Sequence, residues 1–238
     1  MDPASLHDRL SRVRETIVDA AGRAGRDDEE IRVVAITKGH PAAVLKAALD
    51  AGLEEIGENR VQEALEKFGE AHAELEASDA IRHLVGPLQR KKARDAVALF
   101  DWIQSIDSRK IARSVSERAE SSREEPLPVL IEVNVAGEDR RHGFAPEETV
   151  DSALEIAELP GLVVRGLMAM APYTDEEPVL RDAFATVRGL WERLRDQAAD
   201  RTRIDTLSMG MSNDYALAIE EGATMVRLGT ALLGPRGG

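Results

Sequence analysis

Eight short runs of β-forming residues recur along this chain, and a helical or polar stretch follows each of them. Strict alternation of strand and helix makes neighbouring strands run parallel, because every helix carries the chain back across the sheet. The runs are IRVVAIT (31–37), EEIG (54–57), IRHLVG (81–86), WIQSI (102–106), PVLIEVNV (128–135), LVVRGLMAM (162–170), IDTLS (204–208) and MVRLG (225–229). The first is a continuous apolar run rich in β-branched residues, the pattern of a strand buried on both faces.

Stripes of helical period lie between the runs. Val61, Ala64, Leu65 and Phe68 form one, Val150, Leu154 and Ala157 another, and Leu180, Phe184, Val187, Trp191 and Leu194 the longest. A leading helix over residues 1–25 carries Leu6, Leu10, Val13 and Ile17, with Asp2-Pro3 as its cap. Pro41 opens the helix after the first strand. Ser121–Pro126 reads as a loop, and a helix opens at Asn213-Asp214-Tyr215. Eight strand–helix units behind one helix predict an α/β fold, a single (β/α)8 TIM-type barrel domain over 1–238 with an extra N-terminal helix. The 238 residues fit the roughly 250 of such barrels. An open doubly wound sheet is the alternative. It normally shows a glycine-rich dinucleotide turn after its first strand, where this chain has Thr37-Lys38-Gly39-His40-Pro41.

Composition excludes several functions. A net charge of -13 with only 3% aromatic residues opposes nucleic-acid binding. Cysteine is absent, so disulfides, thiolate nucleophiles and cysteine metal sites are excluded. The five histidines lack metal-ligand spacing, and no metal is expected. No run approaches the roughly 18–20 apolar residues of a membrane span, and MDPASLHDRL lacks the apolar core of a signal peptide. The expected location is the cytoplasm.

In (β/α)8 barrels the chemistry sits at the carboxyl ends of the strands. Those positions hold Lys38, Glu58-Asn59, His83 with Gly86-Pro87, Ser105, Asn134, Met168, Ser208–Ser212 and Arg227–Thr230. Lys38 ends an apolar strand, where partial desolvation lowers an amine's pKa and arms it against a carbonyl. On residue type alone a lysine emerging into solvent is the commoner reading, since most lysines are exposed. Ser208-Met-Gly-Met-Ser212 and Gly229-Thr230 follow the seventh and eighth strands, whose loops often bind phosphate in such barrels. Arg227 interrupts an apolar strand and needs a partner, either a neighbouring carboxylate or an anion or ring nitrogen of a ligand. A reactive lysine, a phosphate cradle and a buried arginine are the parts that hold a phosphorylated aldehyde such as pyridoxal 5′-phosphate (PLP). Asn59 and Asn134 serve either a ring hydroxyl or the strand ends. His83 reads as a core histidine. Arg90-Lys91-Lys92-Ala-Arg94 and Arg140-Arg141-His142 read as solvated basic runs.

The segments VVAITKGHP, GLEEIGENRVQEALEK, RHLVGPLQRKK, DWIQSID, VLIEVNVAGE, VRGLMAM and IDTLSMGMSNDYALAIEEGATMVRLGTALLG together resemble the pyridoxal phosphate homeostasis protein family. The match runs from about Ile31 to Gly234. The resemblance implies the fold of the alanine racemase N-terminal domain and Lys38 as the Schiff-base lysine. It places Ser208, Ser212, Gly229 and Thr230 at the phosphate, Arg227 at the pyridine nitrogen and Asn59 near the cofactor. The chain departs from the family at His40, Arg60 and the neighbourhood of His142, where a second lysine, a tyrosine and another lysine are common. PLP exchange rates are expected to differ accordingly.

An arginine at the ring nitrogen keeps its proton and favours an unprotonated, weaker electron sink. The chain ends at Gly238, just after the eighth unit, so the expected site is open to water and suited to cofactor exchange rather than catalysis. The expected function is PLP binding in PLP homeostasis, with PLP and apo PLP-dependent enzymes as partners and a monomeric chain. The alternatives are a minimal PLP-dependent amino-acid racemase and a Schiff-base aldolase using Lys38 without cofactor.

Overall fold

A computed structural model of the chain describes residues 3–137, 142–198 and 204–235. In order, the elements are α1 (Pro3–Arg23), β1 (Arg32–Ile36), α2 (Ala42–Asp50), β2 (Glu55–Glu58), α3 (Val61–Glu70), α4 (His72–Glu76), β3 (Ile81–Leu84), α5 (Ala93–Leu99) and β4 (Trp102–Ile106). They continue with α6 (Arg109–Ser122), β5 (Leu127–Val133), α7 (Pro146–Ala157), β6 (Leu162–Ala169), α8 (Glu177–Gln197), β7 (Thr206–Ser208), α9 (Tyr215–Glu220), β8 (Met225–Leu228) and α10 (Thr230–Leu233). The strands pair in parallel in sequence order and close between β8 and β1. Every predicted strand overlaps an observed one, and the barrel is closed rather than an open sheet.

The main core lies between the barrel wall and the helices, where alternate strand residues such as Ala35, Ile56 and Leu207 meet the apolar helix stripes. The last two units lack cover of their own, since α9 has only 6 residues and α10 only 4. The 21-residue α1 supplies it, packing along both. Leu6, Leu10, Val13 and Ile17 are buried there. Arg9 Nε donates to Leu232 O at 2.6 Å, and Arg26 Nη1 to Ala223 O at 2.8 Å. The extra helix therefore completes the outer layer over the wall where β7 and β8 meet β1.

Inside the barrel, packing is polar as well as apolar. Near the amino ends of the strands, Trp102 has the Arg32 guanidinium 4.9 Å and the Arg165 guanidinium 5.3 Å from its ring centre. Arg32 pairs with Glu55 at 2.5 Å, and Arg165 pairs with Asp205. These charges plug one end of the barrel. Gly166 adopts φ 147°, and a β-carbon there would lie 1.8 Å from Thr206 O. It marks the register shift between β5 and β6.

Some local expectations shift. Leu65 faces solvent at 46% exposure, because the apolar face of α3 is narrower than its four-residue stripe suggests. Ser121 and Ser122 extend α6, so the loop starts at Arg123. Asn213 and Asp214 form a turn before α9 rather than its first residues. Asp2, at the expected cap of the leading helix, lies outside the described residues, as do Arg140 and Arg141.

Candidate cofactor site at the mouth of the barrel

β1 ends at Ile36, and Thr37-Lys38-Gly39-His40 turns the chain toward α2. Gly39 has φ 70°, a conformation glycine adopts without strain. Lys38 is half-buried, and both of its peptide neighbours are held by α3 and the end of β2. The Lys67 ammonium, only 6% exposed, donates to Thr37 O at 2.6 Å, Glu58 Oε1 at 2.5 Å and Glu63 Oε1 at 3.2 Å. Thr37 Oγ1 donates to Glu58 Oε1 at 2.6 Å, and Gly39 N donates to Glu63 Oε1 at 2.5 Å. Burial pushes the Glu58 carboxyl upward, against the bonds from Lys67 and Thr37. Sequence reasoning missed Lys67 and Glu63. The available signal was their i,i+4 spacing right after the Glu58-Asn59 strand end.

Arg227 points into the barrel from β8, paired in register with Val34 of β1. It is 5% exposed. Its Nη1 donates to Ser208 O at 2.8 Å and Ser208 Oγ at 2.7 Å, and its Nη2 donates to Ala169 O at 2.8 Å. No carboxylate among the described residues lies within ion-pair distance of it. Its Nε–H and second Nη2 hydrogen have no acceptor among those residues. Burial pushes the guanidinium down to about 10, against the fields of Asp214 and Glu132, and it stays charged at neutral pH.

Ser208 is fully buried at the end of β7, and its hydroxyl donates to Gln104 Oε1 at 2.7 Å. It sits within the barrel against Arg227. Ser212 and the residues after β8 do come together: Ala231 N donates to Ser212 Oγ at 3.2 Å, joining the β7 and β8 loops directly. Thr230 is exposed there. Gly210 makes the close turn possible, with φ 94° and a β-carbon position 2.6 Å from Ala218 Cβ. Asp214 ties the same loop by accepting from Met211 N at 2.5 Å.

Asn59 follows β2, and its backbone packs on Gly86, where a β-carbon would lie 2.3 Å from Asn59 O. Ser105 Oγ donates to Gly86 O at 2.6 Å. The Asn59 side chain and the Thr230 hydroxyl make no hydrogen bond to the described residues. Together with the spare hydrogens of Arg227, they give the mouth several uncommitted donors, a set suited to an anionic, acceptor-rich ligand. His83 lies deeper, fully buried, with Nδ1 3.0 Å from Gln104 Nε2 and Nε2 3.0 Å from Glu55 Oε2.

One acidic group also faces the mouth. Glu132 on β5 is 4% exposed, and its Oε2 is buried with no hydrogen-bond partner. Burial, then repulsion from Asp107, raises its carboxyl to about 7, while His142 and Arg227 oppose the rise. Asp107 in turn lies 2.7 Å from His142 Nδ1.

The family model described as the alanine racemase N-terminal domain matches residues 9–237. The pyridoxal phosphate homeostasis protein of Pseudomonas aeruginosa is 41% identical over 98% of this chain and 96% of its own. This chain belongs to the pyridoxal phosphate homeostasis protein family. Two solved structures agree with that placement. An unknown protein from Bifidobacterium adolescentis superposes with a TM-score of 0.88 at 35% identity, covering 97% of this chain and 95% of its own. PipY of Synechococcus elongatus, solved with PLP bound, superposes at 0.82 with 33% identity, covering 96% and 100%.

The three positions expected to differ from the family take distinct places here. His40 closes the Lys38 turn, and His40 N donates to Thr37 O at 3.1 Å. Arg60 is exposed directly before α3. His142 pairs with Asp107. No helix among the described residues is long and apolar enough to cross a membrane.

Proposed function

We propose that this chain binds PLP at the carboxyl mouth of its barrel and serves PLP homeostasis, keeping the reactive aldehyde masked and passing it to apo PLP-dependent enzymes. The observation that carries the proposal is Arg227: a buried arginine without an ion pair among the described residues, held by Ser208 and Ala169 with donors to spare. When bound, PLP supplies an aldehyde that condenses with an amine to a Schiff base, losing water. Lys38 is the amine we assign to it. Arg227 faces the pyridine nitrogen and, by keeping its proton, leaves that nitrogen unprotonated. Ser212, Gly229 and Thr230 hold the phosphate with backbone N–H groups and hydroxyls, Ser208 contributes through Arg227, and Asn59 donates to the ring substituents. PipY, solved with PLP bound, supports the choice of ligand. We read residues 1–238 as one domain that works as a monomer in the cytoplasm.

The test is an absorbance spectrum of the purified protein before and after adding PLP, alongside Lys38→Ala. A visible band gained by the wild type and absent from the variant supports the assignment. The same band in both, or in neither, overturns it. Exchange of an amino acid's α-proton with solvent deuterium would move the reading toward a racemase.

A further inference from the structure

We infer that Lys67 is a positioning residue for Lys38: one buried ammonium holds the peptide before Lys38 directly and the peptide after it through Glu63, and so sets the direction of its amine. The inference rests on Lys38 being the PLP-binding lysine. An ammonium has three hydrogens, and all three of Lys67 are committed, to Thr37 O, Glu58 Oε1 and Glu63 Oε1. Lys67 therefore has no hydrogen left for a ligand, although it is a buried lysine beside the site.

The contacts are placed where they constrain Lys38 most. Thr37 O belongs to the peptide that precedes Lys38. Gly39 N belongs to the peptide that follows it, and Glu63 Oε1 accepts from both Gly39 N and Lys67. Thr37 Oγ1 shares Glu58 Oε1 with Lys67, closing the loop from the turn to the end of β2. With both flanking peptides held, the backbone dihedrals of Lys38 are restricted, and the direction of its Cα–Cβ vector is preorganised before any ligand arrives. Gly39 at φ 70° holds little conformational preference of its own, so the turn is held by these bonds together with the His40 N bond to Thr37 O.

Preorganisation of this kind acts on rate, because a nucleophile misplaced by about 1 Å loses on the order of a hundredfold. Breaking the three bonds with Lys67→Met is expected to slow Schiff-base formation by about tenfold or more, with a smaller slowing in Glu63→Gln, which spares the Lys67–Glu58 pair. The experiment combines two readouts on the full chain, each taken well below the melting temperature of the variant. The first is the rate at which the absorbance band grows after adding PLP. The second needs no PLP: the pH profile of reductive methylation at Lys38 of the apo-protein, read by mass spectrometry against exposed Lys110.

A slower band together with an altered Lys38 methylation profile, and an unchanged Lys110, supports the inference. A lowered melting temperature with both Lys38 readouts unchanged overturns it, leaving Lys67 a purely structural ion pair. If Lys67→Met fails to fold, Glu63→Gln decides by the same two readouts. A wild type that methylates at Lys38 yet gains no band with PLP marks failure of the functional reading instead.

Discussion

Arg227 is joined to His83 by a chain of hydrogen bonds through two intervening side chains, Ser208 and Gln104. A guanidinium only donates, so Ser208 Oγ accepts from it and has a single hydrogen to give, which goes to Gln104 Oε1. The amide then turns Nε2 toward His83 Nδ1, which must accept. The imidazole proton is left on Nε2, facing Glu55 Oε2. Burial lowers the pKa of His83 and keeps the ring neutral, despite Glu55.

The tautomer is therefore a consequence of Ser208. Imidazole nitrogen NMR on the wild type should show His83 protonated at Nε2 alone. In Ser208→Ala the amide is free to flip and both tautomers should appear. Stability should fall by about 1–3 kcal/mol as buried polar groups lose partners. A wild-type spectrum with the proton on Nδ1 would contradict this polarity.

Two glycines should respond in opposite directions to the same change. Gly210→Ala forces φ 94° on an L-residue and drives a methyl to 2.6 Å from Ala218 Cβ. It should cost about 1–3 kcal/mol and weaken PLP binding, because the β7 loop can no longer bring Ser212 to Ala231. Gly189→Ala meets nothing within 4 Å inside helix α8 and should stabilise by about 0.5–1 kcal/mol without changing affinity. Denaturant unfolding and a PLP titration of each variant check both halves.

The barrel was readable from the sequence because each strand is an apolar or alternating run with its own stop signal, as at Ile36 before Thr37-Lys38-Gly39. Arg227 was readable because a lone charge in MVRLG has to be explained. Lys67 showed only its spacing to Glu63, four residues earlier, since its other partners lie 9 and 30 residues earlier and become neighbours only when β1, β2 and α3 assemble. The role of α1 was equally hidden. Its stripe predicts a buried face, but what it covers depends on how short α9 and α10 turn out to be. Ser208 closes the predicted seventh strand, but only the register of β7 against β8 places its hydroxyl against Arg227.

Trp102 should matter for stability and little for the site. It lies between Arg32 and Arg165 near the amino ends of the strands, whereas the Lys38 turn is at the carboxyl ends. Trp102→Ala removes a buried aromatic and two cation–π contacts and should cost about 3–5 kcal/mol. Under conditions where the variant stays folded, its PLP absorbance band and affinity should match the wild type. A lost band in folded Trp102→Ala would show that the plug and the mouth are coupled.

Glu132 should make stability fall as pH rises. Its carboxyl is raised from 4.5 to about 7 in the fold, first by burial and then by Asp107, with His142 and Arg227 opposing. Between these two values the unfolded chain has released the proton that the folded chain keeps, so the folded state is favoured less with each step in pH. The contribution is whole below about 4.5, is lost progressively through about 7, and changes no further above that. A shift of this size corresponds to about 3 kcal/mol. Glu132→Gln keeps the shape and removes the ionisation. Relative to the wild type it should therefore gain up to about 3 kcal/mol at pH 8 and nothing at pH 4.5, measured by urea unfolding. Comparing the two proteins at each pH cancels the titrating groups that do not interact with Glu132. A variant equal to or weaker than the wild type at pH 8 would mean that the charged carboxylate is stabilised in the fold, by Arg227 above all.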